Sequence, residues 1–404
     1  MRKTRLLFII PLVIALVALS LVGACAKPEP TAAKVLKFGA PGPLSGLAAG
    51  WGIPEDRGLR MLADEVNAEG GLKVGGETYT IEIISADTKF SIEGAAAASH
   101  KLAYEDGVKY AIGGIDKHET LSLQAVFEPA GVIHFHDGWG AGIVNTGAPH
   151  SFRIPSTPHE TTPAVYAWIM KAYPNVKRVG LVGAESEGGH EFVEQIASHM
   201  PTLGLEVAGT VYYAFDAVEF YPIITKLLKG NPDIIDWSGT PPQIALFAKQ
   251  CREKGYQGLF LNQNPVAVKD LVEIGGTELM EGFLSLPAAM VTSEAKAFQE
   301  AYIAKHGKWE SNVLDIAISF QIIIDAMKKA DSVEVDKVLA VLHTGGPFDT
   351  IIGPARIGGE QLHGIANQAF IPLGIIQIQD GVGVTVHVIT ADEQVEVLEK
   401  WAGQ

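Results

Sequence analysis

The 404-residue chain is poor in cysteine and in basic side chains, and both shortages narrow its possible functions. Two cysteines cannot build a disulfide framework or a cysteine-based zinc site. A formal net charge of −15, without a basic stripe, argues against a nucleic-acid partner, because phosphate binding needs clustered lysine and arginine. No GxSxG elbow, P-loop or GxGxxG fingerprint stands at a strand-to-helix junction. The common signatures of acyl transfer and nucleotide binding are therefore missing.

The amino terminus, by contrast, carries a specific pattern. A basic pentapeptide precedes the apolar run "LLFIIPLVIALVAL" at 6–19, which is too short for a comfortable membrane span. "LVGAC" then places small residues directly before Cys25. This order resembles a bacterial lipoprotein signal and predicts a signal peptide over 1–24, lipidation of Cys25 and a tether over 25–34. An ordinary secretory signal or an N-terminal membrane anchor is the alternative.

From residue 35 onward, short β-branched runs alternate with amphipathic helical segments. The first set ends in the strand "VIHFHD" at 132–137, and a second set begins after "SFRIPS" at 151–156. This rhythm requires parallel sheets covered by helices on both faces. The last third has a strand at 281–287, three helical segments and then two strands within 371–390. It predicts two doubly wound α/β units, with a chain that crosses back to the first and returns to the second.

Ligands of open parallel sheets lie beyond the carboxyl ends of the strands, where the βα loops converge. In this chain the expected strand exits are polar and rich in glycine, and several carry tryptophan. They lie at 41–52, 113–120 and 136–142 in the first unit, and at 183–190, 237–242 and 262–265 in the second. These exits predict a cleft that encloses a small molecule between two lobes.

Several segments carry a family resemblance. "FGAPGPLSGLAAGWGIPEDRGLRMLADEVNAEGGL", "DGVKYAIGG", "FEPAGVIHF" and "GPFDTIIGPARIGG", followed by "LGIIQIQDG", occur in order. With them, 35–390 resembles the branched-chain amino-acid (Leu/Ile/Val) type of periplasmic binding protein, the substrate-binding subunit of an ABC importer. The resemblance implies the type I periplasmic binding fold, an α/β fold with two Rossmann-like doubly wound lobes joined by three crossings. It also implies an extracytoplasmic protein that meets a transporter permease, held at the membrane through Cys25.

The resemblance further sets the expected division of the chain. The N-terminal lobe is expected to comprise 35–153 with 287–352, and the C-terminal lobe 154–286 with 353–404. Each lobe would then be built from two separate stretches of sequence.

Only some of the residues that bind the amino acid in this family have counterparts in this sequence. Its carboxylate-binding serines are replaced by a segment that contains Lys117 and His118. The acid that holds the α-ammonium is missing near Asn262 and Asn264. Both anchors of an α-amino acid are therefore absent in their usual form. We expect a ligand other than an aliphatic amino acid, such as an aromatic or heterocyclic carboxylate or an amide.

The candidate ligand contacts are polar or aromatic side chains at the expected strand exits. Tryptophans can sandwich an aromatic or cationic group, basic side chains can pair with a carboxylate, and asparagines suit an amide or hydroxyl. Two of the set, Ser186 and Thr240, rest on strand-exit position alone. The candidates are Ser45, Trp51, Lys117, His118, His136, Asp137, Trp139, Ser186, Thr240, Asn262 and Asn264.

Each candidate has a structural alternative. His134 and His136 share one side of a strand, and we expect His134 to be buried and hydrogen-bonded while His136 reaches the cleft. Asp137 can contact a ligand or cap a turn. Trp139 can instead pack against the rim of its lobe, and Ser45 can do no more than hold its own loop. Lys117 and His118 can be solvated loop residues.

The segment "HFHDGWG" at 134–140 also raises the question of a metal. A His-x-His pair at a strand end resembles the opening motif of metal-dependent amidohydrolases, but that motif stands on the first strand of a barrel. A metal bound by His118, His136 and Asp137 without catalysis is a further alternative. A sensing module that reports to a signalling partner is another. The favoured hypothesis is a binding protein without catalysis, cofactor or metal.

Overall fold

The computed structural model describes residues 33–263, 268–310 and 312–402. The predicted signal peptide, Cys25 and most of the expected tether lie outside these ranges, and so does Asn264. Lys34, the last residue of that tether, is already the first residue of a β-strand. Within the described ranges, no helix combines the length and the apolar character that crossing a bilayer requires.

The first sheet has eight strands in the order β12-β13-β6-β5-β4-β1-β3-β2. Its six inner strands run parallel, and antiparallel β2 and β12 form the two edges. The strands are β1 (Lys34–Gly42), β2 (Leu72–Val74), β3 (Glu77–Asp87), β4 (Tyr110–Ile112), β5 (Ile133–His136), β6 (Ser151–Arg153), β12 (Arg356–Gly358) and β13 (Gln368–Phe370).

The second sheet has seven strands in the order β15-β14-β11-β10-β9-β7-β8. The strands from β7 to β11 run parallel, and β14 and β15 extend the sheet in the antiparallel sense. The strands are β7 (Arg178–Ala184), β8 (Glu206–Tyr213), β9 (Ile234–Trp237), β10 (Leu259–Asn262), β11 (Leu284–Ser285), β14 (Leu373–Gln379) and β15 (Val382–Ile389).

Helices cover the faces of both sheets. They are α1 (Ala49–Ala68), α2 (Ile92–His100) with a π-helical extension (Lys101–Glu105), α3 (Lys117–Ala130), α4 (Pro158–Ala172), α5 (Glu187–His199), α6 (Tyr221–Leu228), α7 (Pro241–Glu253), α8 (Val268–Gly275), α9 (Thr277–Met280), α10 (Ser293–His306), α11 (Asn312–Ala330), α12 (Val335–Leu342), α13 (Glu360–His363) and α14 (Ala391–Ala402). Helix α11 is apolar around most of its circumference and packs against α1, so it is buried in the core of the first lobe. The expected architecture of two doubly wound lobes is confirmed.

The chain passes between the two sheets three times, as the resemblance implied. It leaves the first sheet after β6, returns after β11 and leaves again after β13. The last passage differs from the expected boundary at 353, because β12 and β13 belong to the first sheet. β13 pairs in parallel with β6, which supplies partners for the backbone groups that β6 would otherwise expose at a sheet edge.

A buried ion pair lies at the first passage between the lobes. The Arg153 guanidinium, at the end of β6, donates to Glu160 Oε1 of α4 at 2.7 Å. It also donates to Gln368 Oε1 of β13 at 2.5 Å and to the Gly140 carbonyl at 3.1 Å. Although burial opposes it, the charges of Arg153 and His363 hold the pKa of Glu160 down to about 2. One guanidinium therefore joins two strands, one helix and the loop that follows β5.

Replacing Arg153 tests this junction. We expect Arg153→Met to lower the free energy of unfolding by about 3–5 kcal/mol, because it leaves the Glu160 carboxylate buried without a cation. Urea unfolding at pH 7 measures the change. The matched control is Arg178→Met, which breaks an ion pair 3.6 Å long with the exposed Glu206 and should cost only about 0–1 kcal/mol. Equal losses in the two variants would contradict the assignment.

Candidate functional site

The strand β5 divides the "HFHDGWG" segment between two faces of the first sheet. Alternation along the strand sends His134 and His136 to one face and Phe135 to the other. The His134 ring lies 5.1 Å from the ring of Phe127 on α3, while Phe135 stacks on Phe152 at 4.9 Å. Burial lowers the pKa of His134 to about 4 and the pKa of His136 well below its ordinary value. Both imidazoles are therefore neutral in the folded protein at pH 7.

The two histidines are bonded within the first lobe. His134 Nε2 forms a hydrogen bond of 2.7 Å with the Gly113 carbonyl, as expected for a buried imidazole between strands. His136 Nδ1 accepts from the Gly138 amide at 3.2 Å, which leaves the proton of the neutral ring on Nε2. The His136 side chain exposes no surface. The strand directs it toward α3, and its Nε2 has no hydrogen-bond partner among the described residues, so the expected ligand contact of His136 stays a prediction.

Asp137 follows on the opposite face, toward α1 and α11. Its side chain is 9% exposed, and neither carboxyl oxygen has a hydrogen-bond donor among the described residues. Burial, followed by repulsion from Asp315 and Glu55, raises the pKa of Asp137 well above its ordinary value. A turn cap would accept a backbone hydrogen bond, and Asp137 accepts none within the described chain. Its carboxyl group is therefore available to a ligand.

Two further acids lie close to Asp137, and sequence reasoning missed both. Glu55 stands in the second turn of α1, and burial raises its pKa to about 8 even though Asn312 donates to it at 3.0 Å. Asp315 stands in the first turn of α11, and burial raises its pKa to about 7. No cation contributes to the pKa of any of the three. We call Glu55, Asp137 and Asp315 the carboxyl trio.

Glu119 is a buried acid of the same lobe whose carboxyl group is compensated by hydrogen bonds. It is fully buried in the first turn of α3, where it accepts from the Ile115 amide at 2.9 Å and from the Thr88 hydroxyl. Both of its carboxyl oxygens are thus engaged within the lobe. The carboxyl trio differs because Asn312 is the only donor that it receives in the described part of the chain.

The first turn of α1 places an aromatic side chain near Glu55 of the trio. Trp51 is 54% exposed and stands one helical turn before Glu55 on the same face of α1. Asn312 Nδ2 donates to both the Trp51 carbonyl, at 2.9 Å, and the Glu55 carboxylate. The ring of Phe90, from the loop after β3, lies 6.0 Å from the Trp51 ring. Ser45 instead donates to Asp87 at 2.6 Å and holds its own loop.

The loop after β5 contacts the second lobe. Lys117 Nζ lies 3.3 Å from Glu187 Oε1, and the Ala141 amide donates to Glu191. A Cβ placed on Gly188 would lie 3.7 Å from Cζ3 of Trp139, so this tryptophan packs against the first turn of α5. Lys117 is therefore already paired with a carboxylate of the protein. These contacts join the two lobes across the cleft.

The strand exits of the second lobe hold a polar network that the sequence did not predict. Asp236 Oδ2, on β9, accepts from Gln263 at 2.7 Å and from the Tyr166 hydroxyl at 3.1 Å, while Thr161 donates to Gln263. Burial raises the pKa of Asp236 to about 7, and its Oδ1 has no partner among the described residues. Asn262, which was predicted, is fully buried at the end of β10.

The contacts give some of the remaining candidate residues a local structural role and give the others no defined role. Ser186 caps α5 by accepting from the Gly189 amide at 3.2 Å. Thr240 forms a capping box with Gln243 at the start of α7. His118 is exposed on the first turn of α3. Ser186 and Thr240 thus explain why polar residues follow these strands without any ligand.

The metal alternative can be compared with the geometry directly. His136 points toward α3 and Asp137 toward α1 and α11, while His118 is exposed. In the part of the chain that the structure describes, no group of three or more histidine, cysteine, aspartate or glutamate side chains is arranged to hold a metal ion.

The fold and the cleft can now be compared with known proteins. Residues 35–381 match the family described as periplasmic binding protein. The chain belongs to that family. The expected resemblance is confirmed, and the family consists of binding proteins found outside the cytoplasm, which supports a role in binding at the family level.

Individual relatives are distant but nearly full length. The Leu/Ile/Val-binding protein homolog 8 of Brucella melitensis is 25% identical, covering 87% of this chain and 90% of its own. A crystal structure of a leucine-binding protein from Thermotoga maritima has a TM-score of 0.65 at 22% identity, covering 89% of this chain and 99% of its own. A solute-binding protein from R. palustris, solved with benzoate, has a TM-score of 0.62 at 19% identity, covering 88% and 96%.

The raised pKa values predict a pH dependence for this periplasmic binding protein. A raised folded-state pKa means that the fold holds the proton more tightly than the unfolded chain. The resulting stability is complete below the unfolded pKa near 4 and is lost as the pH rises through the folded pKa. We therefore expect the free energy of unfolding to fall between about pH 4 and pH 8, by up to about 1.4 kcal/mol per pH unit for each such group.

Urea unfolding at intervals across this pH range measures the slope. Asp137→Asn should flatten it, because the amide cannot ionise. Glu69→Gln removes an exposed carboxylate at the end of α1 and should leave the slope unchanged. A slope that is the same in all three proteins would show that Asp137 is not held protonated by its surroundings.

Proposed function

We propose that this periplasmic binding protein captures one small polar organic molecule between its lobes and delivers it to an ABC importer. The observation that carries the proposal is a pair of buried acids, one in each lobe, at or near the carboxyl ends of strands. Asp137 in the first lobe and Asp236 in the second are both buried, and each has carboxyl oxygen without a partner in the described chain. Buried polar atoms are costly unless a partner satisfies them, so a ligand that reaches both lobes stabilises the closed form.

Closure would act by population shift. The Lys117–Glu187 ion pair and the Ala141–Glu191 hydrogen bond connect the lobes on the side of the β5 loop. Ligand contacts on both lobes add to these weak contacts and favour the closed form, which the permease then distinguishes from the open one.

The surroundings of the cleft favour a ligand unlike those named for the relatives. The names of those proteins specify leucine, isoleucine and valine, and the R. palustris structure contains benzoate. In this chain an anionic carboxylate would meet the carboxyl trio, and Lys117 is already paired with Glu187. Of the two classes expected from the sequence, a group that donates hydrogen bonds, such as an amide, therefore fits better than a carboxylate.

Mass spectrometry of the molecule released when the purified protein is denatured tests the proposal. We expect an organic molecule in stoichiometric amount, and not leucine, isoleucine or valine. Added back at about 100 times its dissociation constant, it should stabilise the protein by roughly 2.7 kcal/mol. It should also reduce the radius of gyration measured by small-angle X-ray scattering. A branched-chain amino acid as the bound molecule would contradict the ligand class, and no compaction would contradict closure.

Trp51 provides a mutational test of the site. Trp51→Ala should weaken binding of the released molecule about tenfold, ~1.4 kcal/mol, because an exposed ring beside the trio covers the bound ligand. Isothermal titration calorimetry measures the affinity. Tyr104→Ala is the matched control, since Tyr104 is 56% exposed at the end of the helix that leads away from the cleft. Unchanged affinity in Trp51→Ala would place the ligand elsewhere.

Anchoring through Cys25 forms part of the proposed function. We expect Cys25→Ser to move the protein from the membrane fraction to the soluble fraction of cells, because the serine cannot receive the lipid. Fractionation followed by immunoblotting measures the distribution. Cys251→Ala, at the buried free cysteine of α7, should leave the protein in the membrane fraction. Retention of Cys25→Ser in the membrane would favour an uncleaved N-terminal anchor.

A further inference from the structure

The carboxyl trio is an unbalanced group of acids in the first lobe. The three carboxyl groups come from α1, from the residue directly after β5 and from α11, and act electrostatically on one another. Lys117 and Arg153 are engaged elsewhere, since Lys117 pairs with Glu187 and Arg153 with Glu160. Among the described residues, the charged groups named as acting on the pKa values of the trio are all acids.

The orientation of the Asp137 side chain is defined by the fold. Alternation along β5 sends its side chain away from the two histidines and toward α1 and α11. It is more than nine-tenths buried, and both of its oxygens are without a donor in the described chain. A buried carboxyl group retained in this state is a stability cost to the free protein. Such a cost is understandable where a ligand supplies the missing donor.

The aromatic pair lies on the side from which a ligand would arrive. Trp51 and Glu55 share one face of α1, and Phe90 lies 6.0 Å from the Trp51 ring. On the inner side of Glu55, among Leu59, Ile112 and Ile316, lies a cavity of about 10 Å³, which holds at most a water molecule. We therefore expect a partner for the trio to enter past the aromatic rings.

We infer that the ligand of this protein is an organic cation, whose positively charged nitrogen lies between Glu55, Asp137 and Asp315 and whose body contacts Trp51. This inference rests on the proposed function, and it narrows the ligand from a polar molecule to an ammonium, amidinium or guanidinium compound. Carboxylates and an exposed indole form the combination that recognises such cations, through charge-assisted hydrogen bonds and attraction to the ring face.

Other partners fit the trio less well. An anion would bring its charge into a buried site that offers three acids and no cation to balance it. A neutral amide would satisfy some oxygens but would not balance the charge of any acid that ionises. A metal ion lacks a suitable ligand arrangement among the described residues. An organic cation supplies both the donors and the charge.

Binding of a cation to these acids is linked to protons. The groups that act on the trio are its own members and Glu119 of α3, and all of them are acids. Their raised pKa values mean that protons neutralise the trio in the free protein near pH 7. A cation must displace those protons, so its affinity should rise as the pH increases from about 6 to 8.5.

A charge series of nearly identical shape tests the inference. Benzamidine, benzamide and benzoate differ mainly in carrying a positive, zero or negative charge. Choline and its neutral isostere 3,3-dimethyl-1-butanol repeat the comparison with an aliphatic body. The readouts are the thermal midpoint and the dissociation constant of the full-length protein with each compound. We expect the cation of at least one set to bind about tenfold or more tightly than its neutral isostere, and benzoate not to bind.

Variants of the trio separate this site from a general effect of charge. Asp137→Asn and Asp315→Asn should each reduce the preference for the cation over its neutral isostere about tenfold. Both variants should be at least as stable as the parent protein above pH 7. A variant that loses binding because it misfolds would therefore be recognised by its lower stability. Asp325→Asn removes an acid from the same helix α11, where it pairs with Lys329 at the protein surface, and should leave the preference unchanged.

The possible results are distinguishable. A neutral or anionic compound that binds as tightly as its cationic counterpart would overturn the cation inference and leave the proposed capture of a small molecule intact. The same holds if the molecule released from the purified protein carries no positive charge. If no compound of any charge binds and no small molecule is released, the proposed function itself fails, and the inference fails with it.

Discussion

Parallel strands cannot be joined by tight turns, and this constraint organises the whole molecule. Each parallel connection must cross over through a helix, so the carboxyl ends of β1 and β3 to β6 all meet one edge of the first sheet. The same holds for β7 to β11 in the second sheet. Loops that are far apart in the sequence are therefore brought to one place. That is why Glu55, Asp137 and Asp315 can meet although 260 residues separate the first from the last.

Stability and binding place opposite demands on that edge. Two other buried acids are compensated: Glu160 pairs with Arg153, and Glu119 receives two donors. At the carboxyl trio the compensation is left incomplete, and the fold holds protons there instead. If every buried carboxyl group at this edge had a hydrogen-bond partner, the lobe would be more stable. No carboxyl oxygen would then be free to bind a ligand. At the proposed site, the uncompensated acids would thus exchange stability for ligand binding.

The sequence predicted the two doubly wound lobes, because helical and strand periodicities differ and recur in order, and the family resemblance implied the three crossings. The sequence also placed Asp137, Trp51 and Trp139 at strand exits. It could not show that β5 turns the buried His136 toward α3. Polar residues after strands were ambiguous, and Ser186 and Thr240 proved to be helix caps. Glu55 and Asp315 went unnoticed because they stand on helices, yet an acid such as Asp315 amid the apolar run of α11 was the available signal.

The last passage between the sheets is only two residues long, Ile371 and Pro372 between β13 and β14. Two residues span at most about 7 Å, so the two lobes remain close together at this end of the sheets. The opposite end, at β3 and β8, carries no crossing. Among the described elements, the ends of the sheets farthest from this short passage therefore lie nearest to Trp51 of α1 and Phe90 of the loop after β3. If the lobes separate at that end, a solute bound as proposed would contact the aromatic rings before the acids.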